Sequence, residues 1–315
     1  MDVTDISSDL SESQIASKVL WEFSHVDMGF SFGRPLIAKT RKWGWVVILT
    51  GGYNNTGGDP AGYKDGQGGP GQGVIFVLNP KDGSPLQVIY TGTGSATSPA
   101  GLAQIEGYTQ SYQDYTLDYV YGGDLGGNLW RFDFTDGSKN VPAPINIALF
   151  TDPDKTPQPI TVAPKIEYSA EDLRRYVFVG TGIMLAPADQ LNAQQHTMYA
   201  LRDGTKSRAF GNGANQTALP TGISFPVKRE SMSKVSSLLA GAPSSESTPM
   251  GWYYDHTGVV NGVTERVILN LQANDGVLTW VGSLMNDDPC NPGGTARLYS
   301  VGYGTGQTVF YSLVG

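Results

Sequence analysis

The sequence has few cysteines, few charges and no long apolar run. Cys290 is its one cysteine, which excludes an internal disulfide framework and a zinc site built from paired cysteines. Only 16% of the 315 residues are charged, and 29 acidic residues outnumber 21 basic ones, so we expect no nucleic-acid partner. No apolar run approaches the roughly 20 residues that span a bilayer, and no transmembrane segment is predicted.

The first 18 residues also lack the features of a secretory signal. They are polar and rich in serine, without the basic start and apolar centre that such a signal needs. Two interpretations follow for the chain: a cytoplasmic protein, or a segment of a longer secreted precursor.

Residues that suit turns and strands are abundant instead. The chain contains 41 Gly, 19 Pro, 6 Trp, 16 Tyr and 11 Phe. Glycine and proline disfavour long helices, whereas aromatic and β-branched residues favour strands. The composition therefore predicts an all-β protein with a sizeable core.

Short apolar segments bounded by Gly, Pro or Asp recur in groups of four, which is the pattern of β-propeller blades. We predict one propeller domain over residues 1–315, with a partial blade at 1–27 and blades at about 33–92, 100–151, 160–250 and 251–315. The predicted strands are 19–23, 34–40, 44–52, 73–80, 85–92, 101–107, 118–124, 128–134, 146–151, 162–168, 175–182, 196–203, 266–271, 276–284, 296–303 and 308–314. The outer strand of the third blade is not identifiable in the Ser-, Gly- and Pro-rich stretch 204–250.

Motifs of known catalytic centres are missing from the sequence. Neither GxSxG nor HExxH occurs, and the Gly-rich stretch 51–73 lacks a glycine followed directly by Lys and Ser/Thr, the pattern of a phosphate-binding loop. The histidines are scattered at His25, His196 and His256, where surface or structural roles are expected. Cys290 lies in a turn-forming stretch and is interpreted as a structural thiol. We predict a non-enzymatic protein with no catalytic and no organic-cofactor residues.

Two aspartates give a weak indication of a metal site. Asp114 and Asp118 precede a predicted strand, and carboxylate oxygens are the ligands that calcium prefers. A solvated loop in which an aspartate caps a turn explains them equally well, because Gln110 and Tyr112 stand where further acidic ligands would be needed. Asp152 and Asp154 form a second, weaker pair of this kind.

The segment DYVYGGDLGGNLWRFD, residues 118–133, resembles a signature of the type IV pilus biogenesis and tip adhesin family, the PilY/PilC-type proteins. Further similar segments follow in that family's order and cover most of the chain: 19–23, 28–37, 43–54, 158–165, 251–253 and 288–294. The resemblance implies a modified, quinoprotein-like β-propeller at the C-terminal end of a larger secreted protein. The resemblance further implies that the chain starts in the middle of the family's propeller and that the earlier blades are missing from it.

Several functional expectations come from this resemblance alone. It implies a pilus-associated protein outside the cell, with pilins or minor pilins and a host-cell or abiotic surface as partners. It implies roles in pilus assembly, in opposing pilus retraction and in adhesion. It also implies that Asp114 and Asp118 match the end of a calcium loop, although the departures at Gln110 and Tyr112 predict weak or no calcium binding.

Two alternatives remain open at this point. Units such as VLNPKDGSPL, residues 77–86, resemble the repeats of quinone-dependent dehydrogenases. A generic lectin-like or scaffold propeller is the other alternative, with six tryptophans as candidate sugar platforms: Trp21, Trp43, Trp45, Trp130, Trp252 and Trp280. Most of these tryptophans lie in strand-like runs, where burial is the commoner outcome.

Overall fold

Short β-strands provide almost all the regular structure of the protein. The computed structural model describes residues 11–16, 18–56, 70–211, 218–242, 250–260, 262–286 and 293–309. The helices within these ranges are α1 (Glu12–Ala16) and two single turns of 3-10 helix, Pro187–Leu191 and Arg229–Ser231. The prediction of an all-β protein is confirmed.

The first two blades are four-stranded antiparallel sheets with their strands in chain order. Blade one contains β1 (Leu36–Thr40), β2 (Gly44–Thr50), β3 (Val74–Leu78) and β4 (Pro85–Tyr90). Blade two contains β5 (Ile105–Tyr108), β6 (Tyr119–Gly123), β7 (Asn128–Asp133) and β8 (Ile145–Leu149). The strands predicted between residues 34 and 151 all form, shorter by a few residues at their ends.

Blade three takes its outer strands from far along the chain. It contains β9 (Lys165–Ser169), β10 (Arg174–Gly180), β11 (Thr197–Thr205), β12 (Ser233–Lys234) and β13 (Gly251–Asp255). β13 pairs with β11 in antiparallel fashion, and β12 adds to β13 in parallel. The predicted boundary between the third and fourth blades at residue 251 is therefore wrong, since Gly251–Asp255 completes the third sheet.

Blade four is smaller than predicted. A short hairpin of β14 (Val259–Val260) and β15 (Val263–Thr264) precedes a three-stranded sheet of β16 (Gln272–Asn274), β17 (Val277–Met285) and β18 (Gly294–Gly302). The predicted strand 266–271 makes only one bridge, between Arg266 and Ser283. The Arg266 side chain is buried and donates to the carbonyls of Ile183 (3.2 Å) and Asn192 (2.8 Å), which holds this segment against a neighbouring loop. Most of the predicted strand 308–314 lies outside the described residues.

The four sheets are arranged as radial blades around one axis. Their first strands contact one another in order, β1 with β5, β5 with β9 and β9 with β16. Apolar clusters fill the spaces between adjacent sheets, and β3 and β6 are buried along their whole length. This is the packing of a β-propeller, in which each blade buries its faces on its neighbours.

The segment before blade one is packed but is not a strand. Residues 19–25 are irregular, so the predicted outer strand at 19–23 is wrong. Trp21 and Phe23 pack on the face of blade one that carries Phe76, and the Trp21 Nε1–H donates to the Pro80 carbonyl at 2.9 Å. The apolar pattern of this segment reflects packing against a sheet face rather than pairing within a sheet.

The signature segment of blade two forms β6, β7 and the turn between them. Asp124 accepts hydrogen bonds from the Asn128 backbone N–H and the Trp130 Nε1–H, both at 2.9 Å, and so shapes the turn from β6 to β7. A side chain at Gly123 would approach Ile160 of the third blade to 2.2 Å, so only glycine allows the two blades to pack this closely. The segment therefore specifies the junction of blades two and three.

Candidate functional site: the loop of residues 110–118 and the axial cleft

Asp114 and Asp118 lie in the loop between β5 and β6, but they face different surroundings. Asp118 is buried at the end of the loop, whereas Asp114 is exposed. The Asp114 carboxylate accepts the Thr116 backbone N–H at 3.1 Å, and this bond lowers the pKa of Asp114. Asp114 thus caps a turn in its own loop.

Asp118 uses both of its carboxylate oxygens. Arg41, from the turn between β1 and β2, donates through Nη2 to Asp118 Oδ1 at 2.8 Å and through Nη1 to the Leu117 carbonyl at 3.1 Å. The Gln110 backbone N–H donates to Asp118 Oδ2 at 2.8 Å, which closes the loop. Asp114 and Asp118 therefore accept hydrogen bonds from different partners, and the described residues contain no group of three or more metal-ligating side chains.

Of the second acidic pair, Asp152 and Asp154, only Asp152 is buried, and it is hydrogen-bonded in its turn. Asp152 is buried, and its carboxylate accepts from the Thr156 backbone N–H at 2.9 Å and from the Gln194 Nε2–H at 3.1 Å. Asp154 is exposed in the same turn. Asp152 thus connects the turn that follows β8 to the loop that precedes β11.

An axial cleft of about 480 Å³ opens where the first strands of the blades meet. Its polar lining includes Arg34, Glu106, Lys165 and Gln272, which come from four different blades. Lys165 Nζ lies 3.5 Å from Glu106 Oε1 and 3.8 Å from Glu167 Oε1. The cleft thus carries charges of both signs, already paired in part.

An apolar rim lies next to this cleft on one face of the molecule. We define it as Phe30, Phe32 and Leu185, whose side chains are 60%, 70% and 45% exposed. They border a pocket of about 420 Å³ together with Tyr53 and Met184. Because contiguous exposed apolar surface marks interaction sites, the rim is a candidate contact surface.

A buried cluster of charges joins blades two and three. Asp203 on β11 pairs with Arg131 on β7 and accepts the Tyr121 hydroxyl at 2.7 Å. The side chains of Arg131 and Asp203 are no more than 1% exposed. Burial, and then the charge of Asp203, raises the pKa of Tyr121 well above its usual value, so the hydroxyl stays a donor.

A second buried arginine lies beside this cluster. Arg175 on β10 is fully buried, with its guanidinium carbon 4.3 Å from the ring centroid of Tyr108 and 4.9 Å from that of Tyr119. Its Nη2 lies 3.5 Å from Gln110 Oε1 in the loop of residues 110–118. Nothing in the local sequence pattern around these arginines distinguishes them from surface residues, so sequence reasoning did not find the cluster.

The structure also brings together two histidines that are far apart in the sequence. His256 donates its backbone N–H to the His196 carbonyl at 3.0 Å, and both side chains are buried. His256 Nε2 accepts the Trp280 Nε1–H at 2.9 Å, whereas neither ring nitrogen of His196 has a hydrogen-bond partner among the described residues. Burial, followed by the charge of Arg266, lowers the pKa of His196 from 6.5 to about 3.

This burial predicts a loss of stability in mild acid. The unfolded chain binds a proton at His196 below pH 6.5, whereas the folded protein binds it only near pH 3. The stability that His196 contributes above pH 6.5 is therefore lost as the pH falls from 6.5 towards 3. From roughly pH 7 to pH 5, His196 alone should lower the free energy of unfolding by about 2 kcal/mol. Urea titrations at both pH values measure this loss. The variant His196→Leu should reduce it; an unchanged loss in His196→Leu would contradict the assignment.

Three of the six tryptophans are buried and three are not. Trp130, Trp252 and Trp280 are no more than 4% exposed, while Trp45 is 58% exposed. Cys290 lies outside the described residues. Within the described ranges, no helix is both long and apolar enough to cross a membrane.

Comparison with known proteins identifies a family and a fold. The family model of the PilY1 beta-propeller domain matches residues 5–222. The "Type IV pilus biogenesis factor PilY1" of Pseudomonas aeruginosa strain PAO1 is 26% identical over 93% of this chain and 27% of that protein. A "Type IV pilus biogenesis factor PilY1 homolog" of Xylella fastidiosa is 26% identical over 76% of this chain and 16% of that protein. The chain thus spans about a quarter or less of these curated relatives.

A solved structure supports the architecture. The crystal structure of the Pseudomonas aeruginosa PilY1 C-terminal domain superposes with a TM-score of 0.67, covering 92% of this chain and 63% of that chain. The sequence identity between the two is 22%, so this match shows the fold alone. The expectation of a propeller like that of the PilY/PilC-type family is confirmed.

Proposed function

This chain belongs to the PilY1 beta-propeller domain family, and from this membership we propose that it works as the propeller region of a type IV pilus biogenesis factor. The observation that carries the proposal is the family match over residues 5–222, together with relatives from two organisms that are named pilus biogenesis factors. The chain acts as a binding surface rather than as an enzyme, outside the cell and associated with pili. Opposition to pilus retraction and adhesion to a host-cell or abiotic surface belong to the same proposal.

The contact that we propose for the apolar rim is a pilin or minor pilin. Phe30 and Phe32 present large rings to solvent, Phe32 at the axial cleft and both at the pocket beside it, and exposed aromatic side chains contribute strongly to protein interfaces. The cleft beside them offers charged groups of both signs. Protein interfaces commonly have polar residues around an apolar centre, and the cleft can supply these polar groups. The two features together form a surface with an apolar centre and polar surroundings.

Complementation of a deletion strain tests this proposal. Removing the parent gene should reduce surface pili, twitching and attachment, and the intact gene should restore them. The double variant Phe30→Ser and Phe32→Ser should restore them poorly, although its product folds and accumulates normally, because the substitutions remove only exposed apolar area. The matched control is Leu239→Ser, at a leucine that is 57% exposed outside the rim.

Two outcomes would contradict different parts of the proposal. Normal piliation, twitching and attachment in the deletion strain would remove the pilus assignment. Full complementation by the double variant would leave that assignment in place and would remove the rim as the contact surface.

A further inference from the structure

The family resemblance implies a metal ion at the loop of residues 110–118, and an arginine from blade one, Arg41, reaches this loop. Calcium in proteins is held by six to eight oxygen ligands, most of them carboxylates and carbonyls. In this loop the buried carboxylate of Asp118 and the carbonyl of Leu117 both accept hydrogen bonds from the Arg41 guanidinium, at 2.8 Å and 3.1 Å. The positive charge that these oxygens need is therefore supplied by a side chain.

Other side chains of the loop also contact groups of the protein. Gln110 Oε1 lies 3.5 Å from Arg175 Nη2 of the third blade, and Tyr112 is 71% exposed with its ring against that of Tyr115. Asp114 is exposed and accepts the Thr116 backbone N–H. The residues of this loop do not fit a calcium ion, because its one buried carboxylate is surrounded by N–H donors.

Backbone contacts place Arg41 so that it reaches the loop. The Leu117 N–H donates to the Lys39 carbonyl at 2.8 Å, and Lys39 and Thr116 form a parallel bridge between β1 and the end of the loop. Asp118 in turn receives the Gln110 N–H at 2.8 Å, so one carboxylate joins the start of the loop, its end and the neighbouring blade. The Asp118 side chain is only 10% exposed, and that of Arg41 is 35% exposed.

We propose that the Arg41 guanidinium takes the place of a metal ion, so that the loop of residues 110–118 is closed without calcium and fastens blade one to blade two. A planar guanidinium donates in two directions at once, which a lysine ammonium does not reproduce with the same geometry. The inference concerns the fold of this chain and does not depend on the pilus function.

Calorimetric titration and thermal melting of the 315-residue protein test the proposal. With calcium at millimolar concentration we expect no binding heat, and the same melting temperature in calcium and in EDTA. Arg41→Gln and Asp118→Asn should each lower the melting temperature by about 2–4 °C, since each leaves a half-buried polar partner unpaired. Their combination should lower it by clearly less than the sum of the two single effects, because the two substitutions remove one shared interaction. Lys139→Gln, at an 80% exposed side chain on the same face, is the control and should leave the melting temperature unchanged.

Three results would overturn the proposal. The first is calcium binding by the unaltered protein that Asp118→Asn abolishes. The second is a melting temperature that calcium raises and EDTA lowers. The third is additive destabilisation by the two substitutions, which would show that Arg41 and Asp118 do not act as a pair. Calcium binding that appears only in Arg41→Gln would support the proposal, because it would show that the arginine displaces the metal.

Discussion

Asp203→Ala is expected to lower the free energy of unfolding by about 3–5 kcal/mol, since it leaves the buried charge of Arg131 without its partner. The guanidinium of Arg131 pairs with Asp203, and Tyr121 donates its hydroxyl to the same carboxylate at 2.7 Å. Arg175, fully buried nearby, adds a second positive charge to this region. Urea denaturation monitored by tryptophan fluorescence measures the loss.

Two comparisons show whether the uncompensated charge is the cause. Asp154→Ala removes an exposed aspartate from the turn after β8, so it should change stability by less than about 0.5 kcal/mol. The double variant Arg131→Met and Asp203→Leu should be more stable than Asp203→Ala, because it removes both charges and fills the space. A double variant as unstable as Asp203→Ala would show that lost packing, rather than charge, explains the effect.

Trp130→Ala is expected to cost about 3–5 kcal/mol, because it opens a cavity in the cluster between blades one and two. Trp130 is 4% exposed and packs in one cluster with Val46, Ile105 and Phe132. Its Nε1–H also donates to Asp124 at 2.9 Å, and Asp124 is 1% exposed, so the substitution removes a donor from a buried carboxylate.

Chemical denaturation of two further variants separates the packing from the hydrogen bond. Trp130→Phe loses the N–H and part of the ring volume but keeps an aromatic ring in the core, so it should cost less than Trp130→Ala. Trp45→Ala, at a 58% exposed tryptophan of blade one, is the surface control and should cost far less. A cost below about 1 kcal/mol for Trp130→Ala would contradict the role of this side chain in the core.

Local sequence pattern was sufficient for the strands that pair with their neighbours in the chain. The run Val74–Leu78 is β-branched or aromatic at most positions and forms a fully buried strand, β3. The turns that follow, such as 79–84, contain the Asp and Gly residues that favour hairpins, and Asp82 accepts the Ser84 backbone N–H at 3.0 Å. Hairpin-linked strands therefore follow from composition and turn chemistry alone.

Pairing over long distances was not predictable in the same way. Gly251–Asp255 has the apolar character of a strand, but nothing in it specifies β11 rather than the strands that follow it. Residues 19–23 have an equally strand-like pattern and pack on a sheet face without joining it. In both segments the tertiary environment, and not the local propensity, determines the outcome.

The sequence identified only the acidic residues of the loop of residues 110–118 and not the arginine that contacts them. Asp114 and Asp118 were identified from their spacing, whereas Arg41 lies in another blade and carries no signal in its own turn. His196 and His256 were expected to be unrelated, but adjacent ends of β11 and β13 bring them together. A single sequence gives the residue types of a site, while the partners depend on which strands become neighbours.

β13 is synthesised well after β11, the strand with which it pairs, and this order affects folding of the chain during synthesis. β9, β10 and β11 are complete once residue 205 has left the ribosome, but the free edge of β11 gains its partner only when Gly251–Asp255 follows. Until then, the edge strand β11 exposes residues that are buried in the folded protein, such as Tyr199 and Leu201. Its unpaired backbone groups can pair with strands of other chains. Translation speed across residues 206–250 thus determines how long this edge stays unprotected.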